Sequence, residues 1–245
     1  MSRKTLIDVK DLSLTYPRVA GGLKGLLTRK AAPPKQALSG INLKIVEGES
    51  LALVGLNGSG KSTLLRILAG IYEPDTGSVE INGRTAALFN LGIGMRIDMS
   101  GRANILLMGM IAGFSRAEML EIMPKIIAFS ELEAVIDDPM VTYSQGMAMR
   151  LSFATITALK PEILLLDEWI GAGDRVFRLK AEKRLKGMVE GASGFVLASH
   201  NTKIVRRYCK TAIWLKDGHV EMQGSVDDVI DAFDAFTDKE HEKRQ

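Results

Sequence analysis

The segment Gly55-Leu56-Asn57-Gly58-Ser59-Gly60-Lys61-Ser62-Thr63 constrains this chain more than any other. An apolar run at residues 50–54 precedes it and reads as a buried strand; residues 61–69 follow as an amphipathic helix ending before Gly70. The pattern G-x-x-x-x-G-K-[ST] is matched in full. Its glycines permit a tight turn in which backbone N–H groups converge on phosphate oxygens. Lys61 is placed to reach the β- and γ-phosphates, and the Ser62 hydroxyl to take Mg²⁺. The start of the helix adds a favourable dipole. A glycine-rich turn serving only to reverse the chain would need neither the strand before it nor the helix after it.

The 245 residues suffice for one large domain, or for one domain with an inserted lobe. With 46% hydrophobic and 25% charged residues, the composition is that of a soluble globular protein. A net charge of +3 without a concentrated basic stripe argues against a nucleic-acid partner. The lone Cys209 excludes an internal disulfide framework and fits a reducing compartment. No segment reaches the roughly 18 apolar residues that cross a bilayer. The longest candidate, residues 105–114, reads as a buried helix. The N-terminal stretch MSRKTLIDVKD lacks the apolar core of a signal peptide. The chain is therefore expected to remain in the cytoplasm, with any membrane role reached through a partner.

Strand-like stretches occur at residues 6–16 and 41–46, with a Gly-, Pro-, Lys- and Arg-rich insertion at 17–36 between them. Further buried strands are expected at residues 162–166 and 194–198, with a helix between. Strands alternating with helices imply a parallel sheet covered on both faces. Residues 90–159 read as mostly helical and form an inserted lobe.

Asp167 and Glu168 end the apolar run Ile163-Leu164-Leu165-Leu166. Ligands in such sheets sit beyond the carboxyl ends of the strands. There Asp167 is suited to hold Mg²⁺, directly or through water, and Glu168 to polarise an attacking water. His200 stands just after residues 195–198, again at a strand end, where it is suited to hydrogen-bond a γ-phosphate. A strand that simply ends in polar residues, or a surface histidine, would look the same in isolation; their position beside the phosphate loop decides for chemistry.

Tyr143-Ser144-Gln145-Gly146-Met147 precedes a helix expected at residues 148–159. This pentapeptide resembles the signature motif of ATP-binding-cassette proteins, usually L-S-G-G-Q, in its order and spacing between the phosphate loop and Asp167. The resemblance covers nearly the whole chain. It implies an α/β P-loop nucleotide-hydrolase fold with an N-terminal antiparallel β portion and an inserted α-helical lobe, all of residues 1–245 making one nucleotide-binding domain. It also implies ATP and Mg²⁺ as cofactors, and a head-to-tail homodimer in which Ser144, Gln145, Gly146 and Met147 complete the site of the opposite subunit. Tyr16 stands where the family stacks an aromatic on adenine. Ala172-Gly173-Asp174 matches the loop that contacts the opposite subunit.

Within the family the chain is most similar to exporters of O-antigen, capsule or teichoic acid. The likeness rests on Tyr143–Met147 as Y-S-x-G-M, on Asp167-Glu-Trp-Ile-Gly-Ala-Gly-Asp174 with Phe177, on Gly101-Arg-x-Asn104, and on Ser199-His200-Asn201. That likeness implies two separately encoded transmembrane permease subunits, a lipid-linked polysaccharide as substrate through them, and a peripheral place on the cytoplasmic face of the inner membrane. Other readings are the ATPase of another transporter class, teichoic acid, capsule or importer, and a soluble non-transport cassette ATPase. The family's Mg²⁺-sensing glutamine is absent; Phe89-Asn90-Leu91-Gly92 occupies its place, with Asn90 as the substitute. The charged stretch after Asp238 holds no β-rich module, so the subunit is not expected to read the polymer's end group. In residues 17–36, Leu23, Leu26 and Leu27 with Lys24, Arg29 and Lys30 fit an amphipathic membrane-surface helix. A solvated loop fits Gly21, Gly22 and Gly25 equally well.

Overall fold

The computed structural model describes residues 3–18, 32–88, 95–168 and 175–242. In chain order the first elements are β1 (Thr5–Arg18), β2 (Ala32–Val46), β3 (Glu49–Val54), α1 (Lys61–Leu68) and β4 (Thr76–Ile81). Next come β5 (Thr85–Leu88), α2 (Gly101–Ile111), α3 (Arg116–Ser130), α4 (Gln145–Ala158), β6 (Ile163–Asp167), α5 (Arg175–Gly191) and β7 (Gly194–Ala198). The chain closes with α6 (Thr202–Tyr208), β8 (Thr211–Lys216), β9 (His219–Ser225) and α7 (Val226–Glu242). These elements fall into two compact units, Met1–Asn82 with Ala198–Gln245, and Gly83–Leu197.

In the first unit β1 lies antiparallel between β2 and β4. Its alternating pattern buries Leu12 and Leu14, leaves Ser13 between them half-buried and exposes Asp11 and Thr15 on either side, as period-two packing on one covered face requires. β3 pairs parallel with β8, Val54 opposite Trp214, and β8 pairs antiparallel with β9. Four consecutive buried residues end β3, which marks a strand covered on both faces. α7 sets Phe233 and Phe236 against Trp214, with centroids 5.7 and 5.1 Å away. Arg206 of α6 donates to both Asp227 and Asp231 of α7 at 2.5 Å. Cys209 is buried, which pushes its thiol up to about 12, so it is no nucleophile at neutral pH.

In the second unit β5 runs parallel to β6, Leu88 opposite Leu166, and β7 lies on the other side of β6. α2, α3 and α4 pack on a core that includes Ile105, Met119, Met123, Ile126 and Leu151. Phe129, Phe153 and Phe177, one each from α3, α4 and α5, form a ring cluster with centroids 5.9–6.0 Å apart. Asn104, fully buried, accepts from the Arg96 N–H at 2.7 Å and donates to the Arg96 and Ser100 carbonyls. It thereby ties the segment before α2 to the helix.

Three expectations need correction. α4 begins at Gln145, not at residue 148, because Ser144 is extended and its hydroxyl caps the helix from just outside it. The helix expected at 105–114 starts at Gly101 and is buried on one face only; Met110 and Ile111 are 54% and 68% exposed. The 17–36 insertion is partly strand, since the β1–β2 hairpin continues to the pair Arg18 and Ala32. Leu23, Lys24, Leu26, Leu27, Arg29 and Lys30 lie outside the described residues.

Candidate nucleotide site

The glycine-rich loop leaves β3 and enters α1 through backbone that only glycine adopts readily. Gly55 and Gly60 have φ of 148° and 109°. A Cβ on Gly55 would run into the Leu215 carbonyl oxygen, and one on Gly60 would lie 2.8 Å from the Ala37 carbonyl oxygen. Thus β8 and β2 press on the loop from outside and hold its shape. The Gly218 N–H donates to the Ser59 carbonyl at 3.1 Å and the Ser39 N–H to the Gly218 carbonyl at 2.9 Å, which adds the β8–β9 turn to the brace.

Three features fit this loop to a polyphosphate. α1 has Gly60 as its N-cap and no side chain caps its first turn, so orphan N–H donors face outward. The Lys61 ammonium arches back over the loop, donating to the Gly55 carbonyl at 2.7 Å and the Leu56 carbonyl at 3.1 Å. Ser59 Oγ is, among the described residues, the buried side-chain polar atom with no partner. Asn57, Gly58 and Leu56 form the exposed crest of the loop, and Ser62 is half-buried at the first position after Lys61.

Tyr16 lies beside the same helix. Its hydroxyl and that of Thr63 are 3.2 Å apart, and its ring meets Tyr72 edge-on with centroids 6.0 Å apart. The side chain is therefore anchored at its phenolic end, and its half-exposed ring flanks α1. His200 is exposed between two anchored residues. Ser199 is buried, its N–H donating to the Leu53 carbonyl at 3.3 Å near the end of β3, and its Oγ accepting from the Asn201 N–H at 3.1 Å. Asn201 in turn caps α6 through the Ile204 N–H. The histidine is thus displayed at the strand end by hydrogen bonds on either side of it, and the motif Ser-His-Asn acquires a mechanical meaning.

In the other unit, β6 buries Ile163 to Leu166 and leaves Asp167 half-exposed at its tip. Glu168 follows with φ of 69°, a left-handed conformation uncommon for glutamate, and is exposed. Strain of this kind, about 1–3 kcal/mol, persists where the surroundings impose it, and functional residues are frequent there. Ser62 in the first unit and Asp167 in the second each carry an oxygen donor of the hard kind that Mg²⁺ favours.

The signature residues open α4. Ser144 accepts from the Met147 N–H at 3.2 Å. Gln145 and Gly146 make the first turn, and Tyr143 behind them donates its hydroxyl to the Val135 carbonyl at 2.6 Å. Asn90, Asp174 and the rest of residues 169–174 lie outside the described residues. The bracing contributions of Ala37, Leu215, Gly218 and Ser199 went unforeseen, since they act through backbone atoms that carry no local sequence signal.

A family model described as "ABC transporter" matches residues 38–171. The chain is 43% identical over 228 residues to the O-antigen export system ATP-binding protein RfbE of Yersinia enterocolitica, covering 87% of this chain and 95% of that one. It is 44% identical over 207 residues to RfbB of Myxococcus xanthus, also an O-antigen export system ATP-binding protein, with 84% of this chain and 47% of that one covered. Identity to the teichoic acids export ATP-binding protein TagH of Bacillus cereus is 38%, over 82% of this chain and 36% of that one. The chain thus spans nearly all of the Yersinia protein, about half of the Myxococcus protein and about a third of the Bacillus protein. The solved ATP-binding subunit of an ABC transporter superposes with a TM-score of 0.71 at 26% identity, covering 93% of each chain. A post-hydrolysis dimer of an ATP-binding cassette bound to ADP and Pi shares the fold, with a TM-score of 0.69 at 24% identity over 90% of this chain. With the strand–loop–helix geometry and a match across the middle half of its length, this chain belongs to the ABC transporter family as one of its ATPase domains.

Proposed function

We propose that this chain hydrolyses ATP to drive export of a lipid-linked polysaccharide of the O-antigen class, as a homodimer beneath two separately encoded permease subunits at the cytoplasmic face of the membrane. The observation that carries this is the likeness to the Yersinia O-antigen export protein along 95% of that protein's length, joined to a phosphate loop held open by backbone contacts. Teichoic acid is the second reading, supported by the likeness to the Bacillus protein.

In this reading the N–H groups at residues 58–63 and Lys61 bind the β- and γ-phosphates, and Tyr16 offers its ring to the adenine. Glu168 polarises the attacking water, and His200 hydrogen-bonds the γ-phosphate and keeps the water in line. Ser62 and Asp167, with Asn90 from the sequence pattern, would hold Mg²⁺, which would supply charge neutralisation on the phosphates. Ser144 to Met147, with Asp174, serve the opposite subunit's nucleotide, so that two ATP molecules close the dimer. Among the described residues no helix is long and apolar enough to cross a membrane, so the force must pass to a partner.

The test is Glu168→Gln in the purified chain. Turnover is expected to fall by about 10²-fold or more, while ATP binding persists and dimers accumulate with ATP. Near wild-type turnover would remove Glu168 from the chemistry. In cells, Lys61→Ala should stop polymer from reaching the surface; persistent surface polymer without a redundant ATPase would refute the export role.

A further inference from the structure

Within the unit Gly83–Leu197, a cavity of about 1,020 Å³ opens between α3, the end of α4 and α5. Its floor is apolar, from Ile122, Phe129, Leu159, Leu164 and Met188. Its rim carries Lys125, Lys160, Lys183 and Arg184. Two cations of α5 lie over the same ring: Lys180 and Arg184 each stand 4.6 Å from the centroid of Phe129. They differ in what neutralises them. Lys180 donates to Glu131 at 2.7 Å and to the Phe129 carbonyl at 2.9 Å. Arg184 is half-buried, and no carboxylate among the described residues lies within ion-pair reach of it.

We propose that this cavity is a binding site for a small amphipathic anion, a phosphate ester or carboxylate with an apolar or aromatic body, whose charged head pairs with Arg184. A guanidinium withdrawn from water without an anion is costly, and its planar fork matches carboxylate and phosphate oxygens in pairs. Burial alone lowers its proton affinity, with no acidic neighbour to oppose the effect. The acidic groups on the rim do not meet this demand. Glu118 is engaged by Arg84 at 3.0 Å and by the Ser115 N–H at 2.7 Å, and Glu121 is exposed and without an ion pair. Lys125, Lys160 and Lys183 likewise have no ion pair among the described residues, so the rim holds four uncommitted cations against one carboxylate. The concave apolar floor, near the upper end of the ~300–1,000 Å³ usual for small-molecule pockets, suits a compact ligand more than an extended polymer.

Such a ligand would bridge α4, whose first turn is the signature motif, to α5, which follows the segment after Glu168. Its occupancy is therefore expected to alter ATP turnover.

Calorimetric titration of the full chain with 1-naphthyl phosphate tests the site. A non-hydrolysable ATP analogue with Mg²⁺ saturates the glycine-rich loop, so that phosphate binding there does not contribute. One equivalent of 1-naphthyl phosphate is expected to bind, and uncharged 1-naphthol to bind more weakly. Arg184→Gln should weaken the phosphate ester by about tenfold to a hundredfold while leaving 1-naphthol unchanged, and Arg184→Lys should restore part of the loss. Lys160→Gln, on the exposed rim, should weaken it by a smaller factor. A parallel titration with 1-naphthoate tells a carboxylate ligand from a phosphate ester. Binding that disappears once the ATP analogue is present, or equal affinity for ester and naphthol, would overturn the site. So would an Arg184→Gln chain that binds the ester as the wild type does. Failure of the ATP analogue to bind would instead strike the ATPase reading and leave this cavity's titration interpretable.

Discussion

α1 and α4 open the two glycine-bearing motifs of this chain, and their first turns are finished in opposite ways. α1 starts from Gly60 in a left-handed conformation with no side-chain cap. α4 starts from an extended Ser144 whose hydroxyl takes the Met147 N–H. The helices α2, α3 and α6 follow the second pattern, capped by Ser100, Ser115 and Asn201. A cap contributes about 1 kcal/mol, so α1 forgoes a contribution that its neighbours have. What it keeps is a set of unsatisfied N–H donors at a positive dipole end, which is where a phosphate gains most. At the start of α4 the Met147 N–H is taken by the Ser144 hydroxyl, so a ligand reaching it meets a preformed turn. The contrast separates a helix start left open at its first N–H groups from one closed in part by its own serine.

The largest expected effect comes from spoiling the first start. Gly60→Ala puts a Cβ 2.7 Å from Leu38 Cδ2 at a φ of 109°. Strain and crowding together should cost about 3 kcal/mol and abolish nucleotide binding, read by denaturant titration and by fluorescent-nucleotide affinity. Wild-type affinity in this variant would mean that the loop's shape is not held by β2, and the contrast would lose its basis.

Ser144→Ala spoils the second start. It should lower stability by about 1 kcal/mol and reduce turnover, yet leave binding of nucleotide to the glycine-rich loop intact. If nucleotide affinity fell in parallel, the two starts would not be independent.

Ser115→Ala sharpens the same point. Ser115 and Glu118 form a reciprocal capping box, with Ser115 N–H to Glu118 at 2.7 Å and Glu118 N–H to Ser115 Oγ at 3.2 Å. Its loss should also cost about 1 kcal/mol, with turnover unchanged at temperatures where the chain stays folded. A matching fall in turnover would show that any lost cap in the lobe is enough, and that Ser144 has no role beyond capping.

The smallest effect is in acid. The Ser115 N–H, then its hydroxyl, then Arg84 hold the Glu118 carboxyl at about 2, well below its ordinary value of 4.5. A depressed carboxyl contributes stability that is present above about 4.5 and lost as the pH falls through about 2. α1 has no acidic residue in its first turn. Hydrogen exchange should therefore show the first turn of α3 loosening between these pH values while α1 keeps its protection; equal behaviour of the two would break the contrast.

Much of this was legible from local pattern. The glycine spacing at 55, 58 and 60, the apolar run ahead of it and the helix behind it are local demands on φ and on hydrophobic period, and so they survive reading in one dimension. The same holds for Asp167, which ends an apolar strand, and for the helical lobe, whose buried residues recur at helical spacing. The start of α4 was displaced because an N-cap serine with glycine two residues on reads as loop, whereas the hydroxyl's bond to Met147 lets the helix begin at Gln145.

Other features belong to the tertiary structure alone. Ala37 and Leu215 shape the loop through backbone atoms, which carry no side-chain signature, and they come from strands far away in the chain. Tyr16 meets Thr63, 47 residues further along the chain, only through the tertiary fold. Arg184 looks like any exposed helical arginine in the sequence; α3 and α4 decide that it is half-buried over Phe129 without an acidic partner. Sequence by itself determined which residues could carry phosphate chemistry, since that rests on residue type and near-neighbour geometry. Which charges are compensated, and which backbone atoms brace the loop, was decided by packing between segments distant in the chain, where burial and ion pairing arise.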